Sequence, residues 1–97
     1  MADFTPTHPG EVLRADFLEP LALTRYALAE AIDVPQIRIS EIVNGKRGVT
    51  PDTALRLARY FGTSAEFWLG MQATFDLEST RDRVGAKIEA AVKPRAA

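Results

Sequence analysis

The chain has no cysteine and one histidine, His8. These shortages exclude a disulfide framework, a thiolate metal site and a histidine-rich metal centre, and they fit a reducing compartment. No apolar run approaches the roughly 18 residues that a membrane span needs. Met1 to Pro6 lack the basic and apolar blocks of a signal peptide. The expectation is a soluble, cytoplasmic protein with no membrane partner. Asp76 and Glu78 form a carboxylate pair without a nucleophile, so a solvated turn is their expected setting. No catalytic residue, metal, cofactor or small-molecule substrate is expected, and His8 is expected at a helix entry. The chain is also short of net charge, at −1.

The charge that is present is unevenly placed. Residues 1–23 carry Arg14 against Asp3, Glu11, Asp16 and Glu19, a net −3. Residues 34–62 carry Arg38, Lys46, Arg47, Arg56 and Arg59 against Glu41 and Asp52, a net +3. A local positive field docks on phosphate whatever the total charge, although a solvated face of mixed sign would read the same way. With 97 residues, 46% of them apolar, the chain has material for one core and no room for a second.

Five helices and no strand are expected. Pro9 suits the first position of helix one, where a missing N–H costs nothing. Val12, Leu13, Phe17 and Leu18 follow at helical spacing, and Pro20 stops the run. Thr24 is an N-cap for helix two, with Leu23 and Leu28 as a hydrophobic staple. Asp33 tolerates the left-handed backbone of a tight turn. Pro35 opens helix three, which buries Ile39, Ile42 and Val43, and Asn44-Gly45 closes it. Thr50-Pro51 starts helix four, with Ala54, Leu55, Ala58 and Phe61 as its buried stripe. Gly62 ends that helix, and Thr63 to Glu66 has capping-box spacing for helix five. Beyond Ser79 the chain is alanine-rich and charged, with Val84, Ile88 and Val92 four residues apart, and either extends the helix or frays. Residues 1–78 read as the domain and 79–97 as a helical extension or flexible tail.

Helix two, the turn and helix three span Thr24 to Asn44, the size of a helix-turn-helix. Ala29, four residues before Asp33, lets the helices cross closely. With Ile39, Ile42 and Val43 inward, the outward face carries Gln36, Ile37, Ser40, Glu41 and Asn44, with Arg38 at its flank. Gln and Arg at the head of a helix suit the major groove, where both can bond base edges in bidentate fashion. Gln36 is either a base reader or a solvated residue. Arg38 contacts base or phosphate, or pairs with Glu41. Ile37 packs on thymine methyls or is an ordinary exposed isoleucine. Glu41 accepts from cytosine or penalises wrong sequences. Lys46 and Arg47 follow on a loop and read as phosphate contacts, and the N–H groups at Thr24 and Arg25 open a helix that can clamp another phosphate. Phe67, Trp68, Met71 and Phe75 read as core or, where exposed, as a dimer patch.

The run Leu28-Ala29 through Asp33-Val34-Pro35 to Ile39-Ser40 resembles the lambda-repressor-like helix-turn-helix, with Asp33 where that class usually has glycine. Further stretches resemble the HigA family of antitoxins more narrowly. They are His8-Pro9-Gly10-Glu11, Pro35-x-x-Arg38-Ile39, Val43-Asn44-Gly45-Lys46-Arg47, Thr50-x-Asp52-Thr53-Ala54-Leu55-Arg56-Leu57 and Phe61-Gly62-Thr63-Ser64-x-x-Phe67-Trp68. The resemblance covers roughly residues 8 to 78. It implies an all-α, five-helix lambda-repressor-like fold and a homodimer that binds a palindromic operator in double-stranded DNA and represses its own operon. It also implies neutralisation of a HigB toxin, a RelE-type ribonuclease that cuts messenger RNA. By that resemblance Gln36, Ile37, Arg38, Ser40 and Glu41 lie on the recognition helix, and Lys46 and Arg47 near the DNA backbone, where Thr24, Arg25 and Asn44 are expected as further phosphate contacts. The toxin surface does not transfer residue by residue. The acidic Glu11, Asp16 and Glu19 are suggested because an RNA-holding enzyme is usually basic. The alternatives are a stand-alone helix-turn-helix repressor and a scaffold used only for protein contacts.

Overall fold

The structure, a computed structural model, describes residues 6–96. Met1–Thr5, which include Asp3 and most of the stretch read for a leader, lie outside the described residues, as does Ala97. Among the described residues the chain is all-helical. Helix α1 (Pro9–Val12) runs directly into a π-helical turn, Leu13–Leu18. Then come α2 (Arg25–Ile32), α3 (Gln36–Val43), α4 (Pro51–Phe61) and α5 (Ala65–Ala91).

Each boundary has a local cause. His8 Nδ1 accepts the Gly10 N–H at 2.9 Å and caps α1, with Pro9 in the first helical position. The Val12/Leu13 and Phe17/Leu18 pairs stand five residues apart, a step that overshoots an α-turn and fits the i to i+5 bonding of a π-turn. The Glu19 N–H accordingly donates to the Arg14 carbonyl at 3.0 Å, and both Leu13 and Leu18 are buried. Thr24 caps α2 by accepting the Ala27 N–H at 3.0 Å. Gly62, at φ 75°, reverses the chain after α4. The cap of α5 is Ser64, whose Oγ accepts the Phe67 N–H at 3.0 Å, one residue later than the Thr63 spacing suggests. Thr63 instead accepts the indole N–H of Trp68 at 2.8 Å.

The core gathers Leu13, Leu28, Ile32, Ile39, Ile42, Val49, Ala54, Leu57 and Trp68. Two expectations are corrected here. Helix α4 buries Thr53, Ala54 and Leu57, with Ala58 and Phe61 half-buried, while Leu55 is 64% exposed, so Leu55 alone leaves the expected stripe. Val43 is only half-buried, leaving Ile39 and Ile42 as the wholly enclosed residues of α3. The helix option holds for residues 79–91, because α5 continues unbroken to Ala91. At about 1.5 Å per residue it is some 40 Å long, and beyond Phe75 its apolar residues Leu77 and Ile88 are exposed, as is Val92 at its C-cap.

One contact sets the angle of α3. A Cβ placed on Gly10 would stand 1.8 Å from the Ile42 carbonyl oxygen. Only glycine lets the start of α1 lie against the backbone of α3. That gives the His8-Pro9-Gly10 stretch a structural reason: a cap, a first-turn proline and a close helix approach.

Candidate nucleic-acid interface

Helices α2 and α3 are joined through Asp33, which takes the left-handed conformation at φ 59°, ψ 54°. An aspartate accepts this backbone more readily than most side chains, so it can serve where glycine is usual. Ala29 is buried at the crossing, and the Val34 N–H closes the turn on its carbonyl at 3.0 Å. Pro35 caps α3 by backbone conformation alone, without a side-chain bond.

The turn is clamped by a residue that the sequence marks only as one of the local cations. Arg56 Nη1 of α4 donates to the carbonyls of Ile32 (2.9 Å) and Asp33 (3.1 Å), closing the C-terminal end of α2. Asp52 orients that guanidinium, accepting from Arg56 Nε at 2.7 Å, and also accepts from Arg38 Nη1 of α3 at 3.1 Å. The Arg56 hydrogen bond foremost, with Arg38 beside it, holds the Asp52 carboxyl below its ordinary pKa against a desolvation that pushes the other way. Asp52 in turn raises Arg56. One exposed carboxylate thus ties α4 to the recognition helix and to the turn before it.

The outward face of α3 is as the pattern required. Gln36 is exposed and Ile37 is 60% exposed, both in the first turn. Arg38, Ser40 and Glu41 are half-buried beside them, and Asn44 is exposed at the C-terminal cap. The pairing within this row differs from the suggested Arg38–Glu41 bridge: Arg38 goes to Asp52, and Glu41 accepts from Arg47 Nε at 2.9 Å. Glu41 therefore holds a loop cation as well as standing on the outward row. Among the described residues Lys46 and Arg59 have no carboxylate within 4.0 Å, whereas Arg38, Arg47 and Arg56 each do. Lys46 and Arg47 are exposed on the loop after α3, and Thr24 and Arg25 stand at the head of α2.

The remaining candidate residues fall elsewhere. Glu11 and Glu19 flank Arg14, at 4.0 and 2.6 Å, while Asp16 is exposed on the π-turn. Trp68 cannot belong to a dimer patch, because it is fully buried in the protomer's own core. Phe67 is 41% exposed, Met71 is half-buried, and Phe75 lies edge-on to His8 with ring centroids 4.8 Å apart. Asp76 accepts from Gln72 and Glu78 pairs with Arg81. Partial burial pushes His8 below its ordinary pKa, opposed by Asp76 and by the Arg47 backbone. Among the described residues no group of three or more His, Cys, Asp or Glu side chains could hold a metal ion. No helix there is long and apolar enough to cross a membrane.

A buried crossing at Ala29, a left-handed turn and an outward-facing, well-anchored second helix define a helix-turn-helix DNA-binding protein, not an enzyme. Comparison with known proteins agrees: the helix-turn-helix family profile matches residues 15–68. The chain is 55% identical over 71 residues to Virulence-associated protein I of Dichelobacter nodosus, covering 73% of this chain and 66% of that protein's length. It is 44% identical over 79 residues to Antitoxin HigA-1 of Vibrio cholerae, covering 80% of this chain and 73% of that one. The solved Pseudomonas aeruginosa antitoxin HigA with the higBA promoter superposes with a TM-score of 0.91 at 40% identity, covering 94% of this chain and 99% of that one. The chain belongs to the helix-turn-helix family, among the homologues of the HigA antitoxins.

Proposed function

We propose that this chain is the antitoxin of a type II toxin–antitoxin pair. As a homodimer it binds a palindromic operator in its own promoter, represses that operon, and neutralises a HigB-type toxin that cleaves messenger RNA. The observation that carries the DNA half of this reading is the exposed first turn of α3, with Gln36 and Ile37 outward beside the exposed Lys46 and Arg47. Gln36, Ile37, Arg38, Ser40 and Glu41 face the base edges. Thr24, Arg25, Asn44, Lys46 and Arg47 meet phosphates on either side, which fixes register while the bases give sequence. Residues 1–78 act as the operator-binding domain and 79–97 as its extension. Dimerisation runs through α5, with Phe67, Met71 and the margin of Phe75 in the contact. Repression then requires two half-sites about 34–36 Å apart or a multiple of that.

For the toxin, the acidic row Glu11, Asp16 and Glu19 offers charge complementary to an RNA-binding enzyme. The test is co-expression with the neighbouring small open reading frame, pull-down, and operator shift with and without the captured product. Capture that is lost on reversing the three acidic charges supports the whole reading. Capture that survives the reversal moves the toxin surface elsewhere. Operator binding without any captured neighbour makes the chain a stand-alone repressor.

A further inference from the structure

We infer that Gln72, on α5, is a positioning residue for operator binding: it holds the loop after α3 from behind, so that Lys46 and Arg47 meet the DNA backbone in register with the recognition helix. The inference rests on the phosphate-contact reading of that loop. The loop is tied at two ends by different elements. Its start is tied to α3, where the Gly45 N–H donates to the Ile42 carbonyl at 3.0 Å and the Lys46 N–H to the Glu41 carbonyl at 2.8 Å. Its far end is tied across the fold, where the Val49 N–H donates to Gln72 Oε1 at 2.7 Å.

The fit around that bond is close. A Cβ on Gly48 would lie 3.0 Å from the Gln72 amide, so the loop backbone rests directly on the side chain. A glutamine amide can present either end, but Asp76 Oδ1 accepts from Nε2 at 2.9 Å. A carboxylate only accepts when ionised, so Asp76 fixes the amide with its oxygen toward Val49. His8 closes the same site from α1, facing the Arg47 backbone and Phe75. The loop's cations are thereby preorganised by residues that the DNA never touches. Preorganisation of this kind reduces the ordering cost of binding.

The experiment is a double-mutant cycle on the full chain with its own promoter duplex, using Gln72→Ala and the paired change Lys46→Ala with Arg47→Ala. Gln72→Ala weakens operator binding by about tenfold in the natural chain and by less than about threefold where both cations are already gone. The base preference, read on a panel of single-base operator variants, is unchanged. Equal losses in both backgrounds, or no loss in the natural chain, overturn the inference while leaving the phosphate reading intact. A cation-free variant that keeps its affinity and its salt dependence removes the phosphate reading itself, and this inference with it. A second variant guards against simple loss of fold. Gln72→Glu with Asp76→Asn keeps the net charge and both hydrogen bonds with the donor exchanged, so it retains natural affinity. A loss there also overturns the assignment.

Discussion

The two faces of α3 obey different rules. Its inner face is specified by packing: Ile39 and Ile42 are fully buried, and the backbone at Ile42 leaves no space for a Cβ on Gly10. Its outer face is specified by almost nothing within the protomer. Gln36 and Ile37 both stand exposed. Between them runs a polar seam, Arg38 with Asp52 and Glu41 with Arg47, that fixes the flanks of the helix. The difference teaches which residues belong to stability and which are left for a partner.

The largest break should come from the inner face. Gly10→Ala drives a Cβ into a backbone carbonyl that cannot rotate away, and should lower stability by about 3 kcal/mol. Thermal or denaturant unfolding checks it. A change below about 0.5 kcal/mol, the usual range of surface substitutions, would mean α1 can slide off α3. On the outer face, Gln36→Ala should leave unfolding unchanged within about 0.5 kcal/mol while reducing discrimination at one base pair per half-site by about 1–3 kcal/mol. Lys46→Ala should weaken every duplex about equally and shallow the log–log salt slope by about one unit per half-site.

How much of this was legible in the sequence depends on the range of the interaction. Thr24, Asp33, Thr50 and Gly62 act on their immediate neighbours, and their side chains or special backbone announce them. Leu55 was placed on the buried stripe of α4 because Leu55 and Leu57 lie two positions apart and both suit a core. The deciding buried residue, Thr53, is a polar type usually assigned to solvent. Trp68 stayed open between core and dimer patch because nothing local shows that its indole N–H has a partner, Thr63 Oγ1, five residues upstream. Arg56 was read only as a local cation and as part of the family resemblance, and Gln72 was not singled out at all. Their partners lie 24 and 23 residues away, and a lone arginine or glutamine on a helix carries no sign of such a bond.

The smallest expected effect concerns the cap that joins the two regions. His8 uses an unprotonated Nδ1 to cap α1, and burial lowers its pKa from the usual 6.5. A depressed pKa means that this contribution is present above the usual value and is lost as pH falls through the lowered one. The Asp76 carboxylate attracts the cation and moderates the effect. Melting temperature should therefore fall more steeply below pH 6.5 in the natural chain than in His8→Ser, whose hydroxyl caps without titrating there. Identical profiles would mean that the cap does not report on protonation.

DNA reading by the outward face of α3 and its adjoining loop is the proposed role on which the rest depends. Its most direct test is the affinity of the full chain for its own promoter duplex and for a scrambled duplex of equal length, measured across salt concentration. The account predicts a preference of about a thousandfold or more for the promoter and a linear fall of log affinity with log salt, at about −0.9 per phosphate neutralised. Equal affinities for the two duplexes, or binding indifferent to salt, would contradict it.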